Sequence, residues 1–106
     1  MKDAIVFIDT TSNAEVLVGL IVHGKREIGT HKLNKNRAQI VLPMLVALLK
    51  KHGLGFADVA QVQINEGPGS FTGVRVGLAI ANTLSYLLHI PINKEKLGTI
   101  VEPLYE

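Results

Sequence analysis

The sequence predicts an α/β domain, a mixed sheet covered by helices with its elements in the order β-β-β-α-β-α-β. Three observations carry that reading. Short runs rich in Val, Ile and Leu, punctuated by turn residues, fill the first third of the chain. Two longer apolar segments, residues 40–49 and 74–88, have helical length, and the first follows Asn36, a residue suited to capping a helix. Between them lies a strand-like run, residues 59–64, joined to the second helix by a glycine-rich stretch, residues 67–77.

Taken in order, Ala4, Ile5, Val6, Phe7 and Ile8 form a continuous apolar run, the pattern of a strand buried on both faces. Asp9, Thr10, Thr11, Ser12 and Asn13 make a polar turn whose side chains can bond nearby backbone. Residues 15–22 are a second strand, His23-Gly24-Lys25 signals a hairpin, and residues 26–33 form a third, more polar strand nearer the sheet edge. Asn36 caps a helix over residues 37–52, which Gly53 closes in the left-handed conformation. Pro43 removes a backbone donor inside that helix and should kink it. Residues 59–64 are the fourth strand, residues 72–89 the second helix, and Ile90-Pro91-Ile92 starts a short fifth strand. Residues 1–93 thus make one domain and residues 94–106 a tail of mixed polarity. Antiparallel strands followed by helix-connected parallel ones form the arrangement of a single ribonuclease-H-like half of the actin/hexokinase/Hsp70 (ASKHA) architecture. Right-handed crossovers leave few other foldings of that order.

Composition narrows the chemistry. At 106 residues and 47% hydrophobic content, the chain can bury a real core and is not a disordered segment. The absence of cysteine excludes disulfides, thiolate metal sites and a cysteine nucleophile. His23, His31, His52 and His89 lack the i, i+3 or i, i+4 spacing of a helical metal pair. A net charge of +2, scattered cations and 5% aromatic content argue against a direct tRNA-binding face. The longest apolar run, residues 40–49, falls well short of the ~20 residues that span a bilayer. Asp3 and Asp9 interrupt the N-terminal apolar stretch, so a cytoplasmic protein with no membrane partner is expected.

The glycine-rich turn (Gly67, Pro68, Gly69, Ser70, Thr72, Arg75) can hold an anion or allow tight packing against another backbone. It is not a P-loop, because no lysine follows Gly73. Nor is it a dinucleotide fingerprint, whose third glycine would fall on Thr72. A nonspecific anion nest with Ser70 and Thr72 as donors remains open beside the packing role, which the sequence favours. Asp9 and Thr10 could be a vestigial phosphate turn with a metal-binding acid, or a plain strand-end turn. The plain turn is favoured, since nothing in the chain supplies the far side of a phosphotransfer site. Ser70 has no local histidine or lysine to activate it as a nucleophile. No catalytic residue, cofactor or metal ligand is therefore assigned. The alternative function is a nucleotide-binding protein whose site is completed across a homodimer.

Both helices carry more apolar surface than one sheet face can hide. An ordinary surface helix is apolar over roughly 100° or somewhat more, whereas residues 40–49 are apolar all round. In the second helix Gly73, Gly77 and Ala81 lie four apart and form a groove that another backbone could approach. The helices could simply lean on each other, but the surplus favours a partner. If half of the ~800 Å² that each side gives a standard interface is apolar, the gain is on the order of 10 kcal/mol before association costs.

These residues carry a resemblance. Ile8-Asp9-Thr10-Thr11, Val41-Leu42-Pro43-Met44, Ile90-Pro91 and above all Gly67-Pro68-Gly69-Ser70-Phe71-Thr72-Gly73-Val74-Arg75-Val76-Gly77 resemble the TsaB (YeaZ) family. That family serves bacterial synthesis of the tRNA base threonylcarbamoyladenosine. The resemblance implies a noncatalytic ASKHA-type subunit that pairs with a catalytic paralogue, TsaD, through its two helices. It also implies homodimers through the same surface, an ATPase (TsaE) completing the complex, and tRNA met only through the assembly. On this chain the implied interface comprises Val41, Met44, Leu45, Leu48, Gly73, Val74, Gly77, Ile80, Ala81 and Leu84. Family members commonly carry a second domain of comparable size with no counterpart in these 106 residues, so a short form of the scaffold is expected. Arg37 stands where the family usually has histidine, Glu66 where a small or basic residue is common, and Asn93-Lys94-Glu95-Lys96 replaces a Gly-Val-Ser-Ser-like turn.

Overall fold

The structure, a computed structural model, describes residues 3–93; the expected tail lies outside them. Its elements are β1 (Ala4–Asp9), β2 (Glu15–Val22), β3 (Lys25–Lys32), α1 (Arg37–Lys51), β4 (Val59–Ile64) and α2 (Phe71–Leu88), with a 3-10 turn (Phe56–Asp58) entering β4. The sheet order is β3-β2-β1-β4. β2 pairs antiparallel with both β1 and β3, and β1 pairs parallel with β4. This is the mixed sheet the element order predicts, with β3 at one edge. The expected fifth strand contracts to one parallel bridge, Val62 to Ile92. Pro91 lacks the N–H a longer ladder would need; its carbonyl accepts from Val62, and Asn93 N–H donates to the Val62 carbonyl.

Local chemistry sets the boundaries. His23 (φ 52°) and Gly24 (φ 74°) both take positive φ, the requirement of a two-residue type I′ hairpin loop. Val22 therefore faces Lys25, and β3 begins one residue earlier than the sequence suggests. Asn36 Oδ1 accepts the Gln39 N–H at 3.0 Å and starts α1. That helix runs unbroken through Pro43, whose ring lies on the exposed side. Gly53, at φ 70°, follows its end.

Both helices lie on one face of the sheet. Ile8 stands opposite Val18 and Ile64, and Val18 opposite Gly29, so these four positions share a face. Gly77 of α2 packs near Ile64, and Met44 of α1 reaches Gly29. The core forms there, from Ala4, Val6, Ile8, Val16, Val18, Leu20, Val62 and Ile64 beneath Val41, Leu45, Leu49, Val74 and Leu78. On the other face Ile5, Phe7, Leu17 and Ile21 are only half-buried. β1 thus alternates, where its continuous apolar run suggested burial on both faces. By length and composition α2 could cross a membrane, with 18 residues at mean hydropathy 1.2. Its Gly73, Val74, Gly77, Leu78 and Ala81 are nonetheless buried within the fold, as in a core helix.

Candidate functional site

The turn after β1 and the start of α2 meet at Thr10. Thr10 is fully buried, and its hydroxyl donates to the Gly73 carbonyl at 2.7 Å. A Cβ on Gly73 would collide with the Thr10 carbonyl oxygen, and one on Gly77 with the Thr10 hydroxyl. A Cβ on Gly69 would lie 2.7 Å from Thr11 Cβ, and Ser70 N–H donates to the Thr11 carbonyl at 2.9 Å. The glycines therefore bring α2 against the β1–β2 turn of the same chain. This is the packing use of the motif. It also redirects the groove expected at Gly73, Gly77 and Ala81, because the backbone that approaches Gly73 is the chain's own Thr10.

Arg37 locks the junction. Its Nε donates to the Thr10 carbonyl at 3.0 Å and its Nη2 to the Ser12 carbonyl at 2.8 Å, with Asn13 Oδ1 and Ser70 Oγ each 3.5 Å from Nη2. Although charged, it is buried. Sequence reasoning noted Arg37 as a departure from a family pattern and missed this anchoring role. One signal was available: α1 places this cation, and no acid, in its first turn, where the helix dipole disfavours it.

Asp9 closes β1. Its Oδ1 accepts from the Thr11 N–H at 2.9 Å and the Thr11 hydroxyl at 2.7 Å, and its Oδ2 accepts from Asn65 Nδ2 at 3.1 Å. Partial burial pushes its pKa up, but the bonds from Thr11 and Asn65 outweigh that and hold the carboxyl below the usual aspartate value. Ser70 caps α2, accepting the Gly73 N–H at 3.2 Å. Gly67 takes φ 106° ahead of the cis Pro68, while Thr72 is exposed. Arg75 lies over the Phe71 ring at 5.2 Å. Among the described residues no cluster of three or more His, Asp or Glu side chains could hold a metal ion.

The second feature is the outer side of the helix pair. Of the residues expected at an interface, Val41, Leu45, Gly73, Val74, Gly77, Ile80 and Ala81 are buried in the fold, and Met44, Leu48 and Leu84 are half-buried. The exposed apolar side chains are others: Leu42 (41%) and Val46 (42%) on α1, and Phe71 (57%), Tyr86 (79%) and Leu87 (64%) on α2. Leu42, Ala79, Ile80, Thr83 and Leu84 line an open apolar groove of about 250 Å³ between the helices. Continuous greasiness hid the helical phase that separates Leu42 and Val46 from Val41 and Leu45.

The mixed sheet with both helices on one face defines a ribonuclease-H-like unit of the ASKHA class. YeaZ from Pseudomonas aeruginosa superposes with a TM-score of 0.78 at 28% identity, over 87% of this chain and 42% of that one. Residues 31–94 match the family described as TsaD: tRNA N6-adenosine threonylcarbamoyltransferase. The tRNA threonylcarbamoyladenosine biosynthesis protein TsaB of Haemophilus influenzae is 34% identical over 82 residues, 77% of this chain and 35% of that protein. TsaB of Buchnera aphidicola subsp. Schizaphis graminum is 34% identical over 94 residues, 87% of this chain and 43% of that protein. The chain belongs to this family, as a member of its TsaB (YeaZ) group. It spans less than half the length of these relatives.

Proposed function

We propose that this chain is a noncatalytic scaffold subunit in the assembly that forms threonylcarbamoyladenosine on tRNA, docking on a TsaD-like catalytic partner through the outer side of α1 and α2. The observation that carries this reading is the groove between the helices, walled by Leu42, Ala79 and Leu84 and continued by exposed Val46. Exposed aliphatic side chains beside a groove are what an intermolecular helical contact requires. Leu84 contributes its open flank, while Val41, Leu45, Ile80 and Ala81 support the surface from beneath. In this reading the same surface makes a homodimer when the partner is absent, a TsaE-like ATPase joins the assembly, tRNA is met only indirectly, and the protein works in the cytoplasm. A scaffold role also suits the Thr10 junction, where the glycines and the Asp9 carboxylate are engaged by the chain itself. The test is to mix the chain with a purified TsaD-like protein and separate by size. Co-elution is expected; independent elution of the two contradicts the proposal.

A further inference from the structure

Among the described residues β3 is one edge strand of the sheet, and its inward-facing residue Gly29 leaves a hole. Val18, Gly29, Met44, Ala47, Leu48 and Lys51 line an open pocket of about 250 Å³ there. A Cβ on Gly29 would meet only the Met44 methyl, at 3.5 Å. The Leu33 N–H donates to the Ala14 carbonyl on the β2 side. Strand alternation then turns the backbone groups of residues 26, 28, 30 and 32 outward, away from β2. On the other face of the strand Ile28 is exposed.

Charge is unevenly placed along this edge. Lys25, Arg26 and Lys32 lie on β3, and Lys51 stands beside it on α1. Against these four cations stand Glu27, which accepts from Lys51 at 2.6 Å and His52 at 2.9 Å, and Glu15, opposite Lys32. We propose that the β3 edge docks an extended, acidic segment of another protein, which adds as a strand beside β3 and seats an aliphatic side chain in the pocket at Gly29. Main-chain bonds to Ile28 and Thr30 supply the pairing, the pocket supplies the choice of side chain, and the cations supply the preference for acid. A second copy of this chain fits poorly, because antiparallel β3–β3 pairing centred on Gly29, which lets the outward groups of Ile28 and Thr30 bond across, sets Arg26 against Lys32 at both ends. This inference does not rest on the helix-pair surface.

The probe is a blocked seven-residue peptide alternating glutamate with valine and leucine, titrated into the isotope-labelled full chain and followed by amide shifts. Saturable changes at Ile28 and Thr30 are expected. A peptide with lysine in place of glutamate should bind at least about tenfold more weakly. Gly29→Val, which fills the pocket, should also weaken binding by about tenfold or more while leaving the melting temperature unchanged or higher. If that variant does not fold, Gly29→Ala with a smaller loss of affinity serves in its place. No shift at Ile28 and Thr30, equal binding of the lysine peptide, or full affinity of the filled-pocket variant overturns the proposal. So does concentration-dependent pairing of the chain with itself through β3.

Discussion

Thr10, Gly73 and Gly77 make one contact that neither side could make alone. An alanine normally improves on glycine in a helix by about 1 kcal/mol. At Gly73 the added methyl would meet the Thr10 carbonyl and force α2 away, breaking the Thr10–Gly73 hydrogen bond. Gly73→Ala should therefore destabilise the chain by about 3 kcal/mol in urea unfolding, from overpacking and a lost buried bond together. Gly29→Ala, with only the Met44 methyl nearby, should change stability by less than about 0.5 kcal/mol. Equal stability of the two variants would contradict the packing role. Asp9 makes a pH prediction. Its folded pKa lies below its unfolded value, so its contribution is fully present above the unfolded pKa and fades as pH falls through the folded one. Asp9→Asn should cost about 1 kcal/mol at neutral pH, allowing for solvent screening at a half-buried site, and the gap from wild type should close below about pH 4. A gap independent of pH would show that the carboxylate charge is not what the turn uses. The packing use of the glycine motif was the reading the sequence favoured, because its spacing fails both the P-loop and the dinucleotide pattern. That Thr10 was its target was not legible, since a contact 63 residues away in sequence leaves no local trace.

The strands and helices themselves were readable because their signals are local. β2 and β4 begin and end where the apolar runs do, and Asn36 and Gly53 bracket α1 as cap and closing residue. What failed was the helical phase. When residues 40–49 are apolar all round, nothing in the sequence says that Val41, Leu45 and Leu49 face the sheet while Leu42 and Val46 face out. The same ambiguity in α2 made Gly77 look available to a partner. Gly77→Leu should therefore prevent folding, because its side chain would enter the space held by Thr10 and Ile64. A folded, monomeric Gly77→Leu would restore the groove to the surface. Leu42→Asp combined with Val46→Asp should leave the fold stable to within about 1 kcal/mol, both sites being partly exposed. Circular dichroism and a urea titration check this, and a large loss of stability would show these side chains to be core.

At the scale of the molecule, the sheet has one face closed by helices and another whose Ile5, Phe7, Leu17 and Ile21 stay half-buried. The sequence foresaw an apolar surplus because the count of greasy residues exceeds what one sheet face covers. Where the surplus emerges required the three-dimensional phase of α1 and α2. In the proposed function it emerges between those helices and holds a partner. Sedimentation velocity of the chain titrated with a TsaD-like protein, at low and high salt, tests this most directly. A 1:1 complex that survives high salt is expected, as for an apolar contact, with at least about 100-fold weaker association for the Leu42→Asp, Val46→Asp variant, the loss of two central side chains. No complex with wild type, or an unchanged affinity for the folded variant, would contradict it.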